Sequence, residues 1–234
     1  MFKNEKVEKI LSKSKYDFYD LCLILEILRG KDGCPWDIEQ THESIRKNFI
    51  EETYEVLEAI DNKDTKLLRE ELGDVLLQVV FHTQMEKELG TFDIDDVSND
   101  VCTKLVHRHP HIFGDVSANT TEEVLSNWEA IKNIEKSRDT LYDKLNSVPP
   151  MTPALMRASK VSKKSGLYKE TEISDLINET QQLLEEISKD TNNISDASIG
   201  ELLFKISTLS EKADIDPEEA LFKTTNSFID KFKN

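Results

Sequence analysis

Apolar residues recur at three- and four-residue intervals along most of the chain, the period of helices that bury one face. Phe18, Leu21, Leu25 and Leu28 open the series, and the stretch from Gly30 to Gly33 should end that helix. A turn, Gly33-Cys34-Pro35-Trp36-Asp37, follows. The pattern predicts a second helix from about Thr41 to Ile60, with Ile45, Phe49, Val56 and Ile60 inward. It predicts a third from Thr65, with Leu68, Leu72, Val75, Leu76, Val79 and Val80 on its apolar side. The loop between them, Asp61 to Asp64, is short enough to force an antiparallel hairpin. Further helices are expected over 95–109, stopped by Pro110, and over 122–136, with Val124, Leu125, Trp128 and Ile131 inward. Four more are expected, over 153–164, 173–189, 198–213 and 217–232. Segment 146–153 holds three of the six prolines, so the expected division is residues 1–145, a Pro-rich linker at 146–153, and residues 154–234.

An internal repeat sharpens that division. An offset of 127 residues lays Phe49-Ile50-Glu51-Glu52 on Leu176-Ile177-Asn178-Glu179, and Leu72-Gly73-Asp74-Val75-Leu76 on Ile199-Gly200-Glu201-Leu202-Leu203. One offset serves both helices and their loop. The fold class expected is all-α, with two tandem helical-bundle domains.

Two acidic pairs stand out on the hairpin. Glu52 and Glu55, and Glu71 and Asp74, each have i, i+3 spacing, which sets two carboxylates roughly 60° apart on one helix face. A lone pair of this kind is usually a solvated face. Two pairs on adjacent antiparallel helices beside apolar stripes favour an oxygen-lined cation pocket, because converging like charges are tolerable mainly when a cation neutralises them. The repeat acts as a control: Glu52 maps to Glu179 and Asp74 to Glu201, but Glu51 maps to Asn178, Glu55 to Gln182 and Glu71 to Ser198. Core positions persist while carboxylates are diluted, so the first copy is expected to carry the chemistry and the second to be degenerate.

Oxygen-only ligation suits Mg²⁺, with Mn²⁺ as a substitute. Di-iron bundles use Glu-x-x-His on two helices, whereas that spacing occurs once here, at Glu39 and His42, and lies outside the paired acidic segments. Zinc is disfavoured at His107, His109 and His111, since Pro110 interrupts the run and no cysteine or carboxylate adjoins it at ligand spacing.

The 234 residues carry a net charge of -16, which argues against nucleic acid and anionic membranes as partners. Glycine and proline are sparse and 32% of residues are charged, as in mostly helical proteins. The N-terminus lacks an uninterrupted apolar run, so neither export nor membrane insertion is expected, and cytoplasmic placement is. Cys22, Cys34 and Cys102 share no CxxC spacing and read as reduced thiols. An acidic protein needs local positive charge to hold a polyphosphate. Lys104 and Arg108, at i, i+4 in Lys104-Leu105-Val106-His107-Arg108-His109-Pro110-His111, supply it, although cations near a helix C-terminus also suit the helix dipole. Trp36 could stack on a base or plug a bundle end, and Gln40 and Lys47 are candidate substrate contacts.

These residues resemble the MazG-type nucleoside triphosphate pyrophosphohydrolases of the all-α NTP pyrophosphatase superfamily. The resemblance rests on Gly33-Cys34-Pro35-Trp36-Asp37 with Glu39-Gln40-Thr41, on Glu51-Glu52-x-x-Glu55 and Glu71-x-x-Asp74, and on Lys104 through Gly114. It continues in Trp128-Glu129, Glu135-Lys136 and Pro153 through Ala158, and covers about residues 20 to 234. It implies an all-α homodimer that cleaves NTP to NMP and pyrophosphate with Mg²⁺. By position, Glu52, Glu55, Glu71 and Asp74 would ligate metal and Lys104 and Arg108 would hold phosphates. Glu51 is the candidate for a proton-accepting or water-positioning role.

In the second domain, Gly166-Leu167-Tyr168-Lys169 and Thr225-Asn226-Ser227-Phe228 depart from the family's glycine-aromatic-acid-Trp and Asn-x-Lys-Phe patterns. Aligning Lys104 with Ser227 and Arg108 with Lys231, a register of 123 residues, leaves no lysine opposite Lys104, so activity is expected to rest on the first domain. A non-catalytic nucleotide sensor or regulatory interaction protein is the alternative reading.

Overall fold

Short polar side chains set where the helices begin. In the computed structural model, which describes residues 5–189 and 194–233, Asp17 and Asp20 form a reciprocal cap at the start of α2 (Phe18–Leu28). The Asp64 carboxylate accepts from the amides of Lys66 and Leu67 and starts α5 (Thr65–Leu89). Asp93 with Asp96 caps α6 (Ile94–Arg108), and Ser195 with Ser198 caps α12 (Asp196–Lys212). Each cap satisfies amides that the helix cannot pair internally. The other elements are α1 (Glu5–Leu11), α3 (Pro35–Glu39), α4 (Arg46–Asp61), α7 (Pro110–Phe113), α8 (Thr121–Glu135), α9 (Leu141–Asn146), α10 (Ala154–Ser165), α11 (Ile173–Lys189) and α13 (Pro217–Asp230). No strand occurs among the described residues, so the chain is all-α there. No described helix is long and apolar enough to cross a membrane.

Two compact units divide the chain, residues 1–117 and 118–234. That division differs from the one expected at 146–153. Residues 118–145 group with the second unit, because α9 packs on α10 and Glu129 of α8 pairs with Lys164 of α10. The prolines of 146–153 therefore shape a turn inside a unit.

In the first unit α5 is the spine, roughly 37 Å long at ~1.5 Å per residue, and it contacts α2, α4 and α6. Leu25, Ile45, Val80, Phe81 and Met85 form the core around its C-terminal half, flanked by Phe18, Leu21, Cys22, Ile24 and Leu77. Gly33 turns the chain back against the end of α2. A Cβ there would lie 2.1 Å from the Leu28 carbonyl oxygen, so only glycine fits.

In the second unit α12 contacts α10, α11 and α13, as α5 contacts α2, α4 and α6 in the first. The 127-residue repeat is thus a repeat of packing order. Leu176 and Leu183 of α11 and Ser207 and Thr208 of α12 are buried in it.

Most helix spans match the apolar periodicity. The second helix begins at Arg46 instead of Thr41, because Thr41 and Ser44 hydrogen-bond each other's backbone amides in a turn. Four residues expected inward, Ile60, Leu72, Leu76 and Leu125, are exposed within the chain.

Candidate functional site

The hairpin of α4 and α5 brings one face of each helix together. Oxygens of Glu52, Glu55 and Glu71 all lie within 4.8 Å of one another. Glu71 is buried at 8% exposure, Glu52 and Asp74 are half-buried, and Glu55 is exposed. Among the described residues no ion pair neutralises any of the four. Burial pushes the Glu52 carboxyl above the usual carboxylate range, helped by the charges of Asp74 and Glu55. The Glu71 carboxyl is pushed up in the same way, first by burial and then by hydrogen bonding to Glu55 and the charges of Glu55 and Asp74. Several carboxyl oxygens at one point with raised proton affinity form a site that takes up positive charge, as protons or as a hard cation.

Glu51 is not one of the three converging acids. Glu51 is exposed and pairs with Lys47 at 3.0 Å across one helical turn. Trp36, 56% exposed, sits in the first turn of α3. Gln40 caps the end of that helix: its Nε2 donates to the Trp36 carbonyl at 2.8 Å and its Oε1 accepts from Ser44 Oγ at 2.7 Å. Lys104 is exposed on α6, and Arg108, one turn on, is buried. Among the described residues, no hydrogen bond or ion pair joins Trp36, Gln40, Lys47 or Lys104 to the four carboxylates.

Two polar ties that the sequence did not signal hold the Trp36 segment to α5. Arg29, largely buried, donates through Nε and Nη2 to the Glu88 carboxylate and through Nη1 to the carbonyls of Asp37 at 2.6 Å and Gln40 at 3.2 Å. His42 Nδ1 lies 2.7 Å from His82 Nδ1, and its Nε2 lies 2.7 Å from Glu86 Oε1. Burial and the charge of His42 lower the proton affinity of His82. The pairs that reach α5 lie 40 to 59 positions apart in the chain, so no local spacing could have revealed them. Because α5 also carries Glu71 and Asp74, it fixes the acid cluster and the Trp36 segment on one rigid body.

The second copy handles its acids differently. Glu179, counterpart of Glu52, pairs with Lys205 at 2.9 Å. The position of Glu71 is taken by Ser198, whose hydroxyl and backbone complete the cap of α12. That helix starts four residues later in the repeat than α5 does, which draws position 198 into its first turn.

Residues 40–113 match the MazG nucleotide pyrophosphohydrolase domain, a span that contains all four carboxylates. The chain is 41% identical over 221 residues to the nucleoside triphosphate pyrophosphohydrolase/pyrophosphatase MazG of Thermotoga maritima, covering 92% of this chain and 84% of that protein. It is 37% identical over 222 residues to the nucleoside triphosphate pyrophosphohydrolase of Escherichia coli K12, covering 91% and 84%. It is also 40% identical over 237 residues to the uncharacterized protein YabN of Bacillus subtilis, of which it spans 47%.

The raised carboxyls set a pH dependence. The folded state binds protons at Glu52 and Glu71 more tightly than the unfolded chain does. These two groups therefore favour folding as pH falls toward 4.5, the ordinary glutamate value, and oppose it as pH rises through their raised values. Glu26, Glu86 and Glu88, whose proton affinities are lowered, act in the opposite sense. Comparing wild type with Glu52→Gln/Glu71→Gln isolates the effect. In chelator, thermal melts should show wild type losing stability relative to the variant between pH 4.5 and 8, and a pH-independent difference would contradict the assignment.

Proposed function

Because the chain belongs to the MazG family of nucleotide pyrophosphohydrolases, we propose that it hydrolyses nucleoside triphosphates to NMP and pyrophosphate, with Mg²⁺ held by Glu52, Glu55, Glu71 and Asp74 in the first copy. The observation that carries this reading is the convergence of Glu52, Glu55 and Glu71, which no ion pair neutralises among the described residues. The donor set fits a hard divalent ion, because it is all oxygen and its charge is unbalanced. When bound, Mg²⁺, or Mn²⁺ in its place, neutralises phosphate oxygens and lowers the pKa of an attacking water.

Glu51, which is not one of the three converging acids and pairs with Lys47, is assigned to take the proton of that water. Lys104 and Arg108 are assigned to the phosphates distal to the ion. Trp36 presents an exposed ring to a base, and Gln40 and Lys47 border the segment leading into α4. Catalysis rests on the first unit, and the second, degenerate copy serves the fold.

A homodimer completes the reading. Tyr54, Leu57, Leu72 and Leu76 expose apolar surface on α4 and α5, and Gly73 leaves open space in mid-helix with nothing within 4 Å of a Cβ. Gly200, its repeat counterpart, does the same. A glycine inside a helix costs about 1 kcal/mol against alanine, a cost offset where another backbone approaches closely. A second copy of the chain is the proposed occupant of that face.

Two measurements test these assignments. With each NTP and Mg²⁺, wild type should release NMP and pyrophosphate in a chelator-sensitive reaction. Glu71→Gln or Asp74→Asn should reduce the rate by about 100-fold or more, beyond the 10–100-fold typical of groups that only support a ligand. Glu179→Gln should stay within about twofold of wild type, since its site has no role in the reaction. Release of NDP and phosphate, or full activity in Glu71→Gln, would refute the proposal. By light scattering, wild type should be dimeric and Leu76→Arg shifted toward monomer, whereas a dimer unaffected by Leu76→Arg would move the interface elsewhere.

A further inference from the structure

One position on the repeated hairpin differs in a way that bears on cation uptake. Gln78 lies one turn beyond Asp74 and two beyond Glu71 on α5, at the i+4 and i+7 spacings that keep it on their face. It is 7% exposed, and its Oε1 is buried without a hydrogen-bond partner. Buried amide oxygens are almost always paired, so an unpaired one beside an acid cluster marks a place for something the chain does not itself provide.

The second copy supplies a group at the corresponding position. A shift of 127 residues takes Gln78 to Lys205. The Lys205 Nζ donates to Glu179 Oε2 at 2.9 Å, so a side chain here reaches the counterpart of Glu52 on the neighbouring helix. Its proton is held more tightly than usual, chiefly by the hydrogen bond to Glu179, with support from the charges of Tyr168 and Glu201. Glu201 is the counterpart of Asp74. The two acids that survive from the first-copy quartet thus act on one ammonium group.

We propose that this position determines which copy takes a divalent cation: Gln78 turns a neutral oxygen toward the ion in the first copy, and Lys205 fills the ion's place with an ammonium in the second. The inference rests on the reading of the first copy as a metal site. It adds Gln78 to that site as a positioning residue, by way of a water on the ion, and makes the second copy a self-neutralised version that needs no metal to hold its acids together. Mg²⁺ keeps several of its waters when protein carboxylates bind it, which leaves such a water for an amide to orient.

The test grafts the second copy's solution onto the first. Full-length wild type, Gln78→Lys and Gln78→Met are titrated with Mn²⁺, following free Mn²⁺ by electron paramagnetic resonance, and melted with and without Mg²⁺. Gln78→Lys should bind Mn²⁺ at least about 100-fold more weakly, because its ammonium would sit among the ligands. It should lose the Mg²⁺-induced rise in melting temperature, yet melt no lower than wild type in chelator. Gln78→Met, which removes only the orienting oxygen, should bind about tenfold more weakly than wild type and at least about tenfold more tightly than Gln78→Lys. Wild-type-like binding by Gln78→Lys, or equal loss in Gln78→Met, overturns the inference while leaving the metal site standing. Absence of Mn²⁺ binding in wild type removes the metal reading and this inference together.

Lys205→Met tests the second copy separately, whether or not Gln78→Lys folds. Its melting temperature should fall further below wild type at pH 8 than at pH 4. A deficit independent of pH would reduce Lys205 to packing and overturn its half of the proposal.

Discussion

Like charges held together without a partner are the constraint around which the first unit is organised. Three carboxyl oxygens within 4.8 Å, with Asp74 adding to their field, oppose the folding of the hairpin that carries them. The hairpin must be held from elsewhere. Its hold comes from the opposite end of α5, where Leu25, Ile45, Val80, Phe81 and Met85 pack and where Arg29 and His42 tie the preceding segment down. One long helix thus contributes both residues of the apolar core that anchors it and two of the acids, Glu71 and Asp74, that a cation would balance. This segregation of stability from chemistry is common where a site must stay open to ligand.

The two copies show two solutions to one electrostatic problem. In the first, the acids converge and no ion pair relieves them. In the second, Gln182 and Ser198 remove two charges, Lys205 neutralises a third, and the Ser195–Ser198 cap begins the helix later. The second hairpin keeps the packing order of the first, with α12 between α10, α11 and α13. The four acids lie inside the span that matches the MazG domain, and the contrast between copies is a property of this chain's own residues.

Much of this was legible in the sequence, for identifiable reasons. Helical spacing located Glu52, Glu55, Glu71 and Asp74 on facing sides of a hairpin because i, i+3 pairing and a short loop are local properties. The 127-residue offset anticipated that α4 with α5 and α11 with α12 are equivalent. Periodicity did not say what covers an apolar face, so Leu72 and Leu76 were expected inward and lie exposed within one chain. The compact units divide at 117/118, after α7, where no proline-rich stretch marks the chain, whereas the prolines of 146–153 make a turn inside a unit. The ties from Arg29 to Glu88 and from His42 to His82 join distant positions and emerge only from packing. The role of position 78 needed both copies folded, since the substitution of lysine for glutamine is uninformative until the ammonium is seen beside Glu179.

The central claim is that the first hairpin holds a divalent cation and the second does not. Crystals of the full chain soaked in Mn²⁺ and measured at a wavelength with strong anomalous signal locate the ion directly. The account predicts an anomalous peak bounded by Glu52, Glu55, Glu71 and Asp74, with none between Glu179 and Glu201. A peak at the second pair, or none at the first, would contradict it.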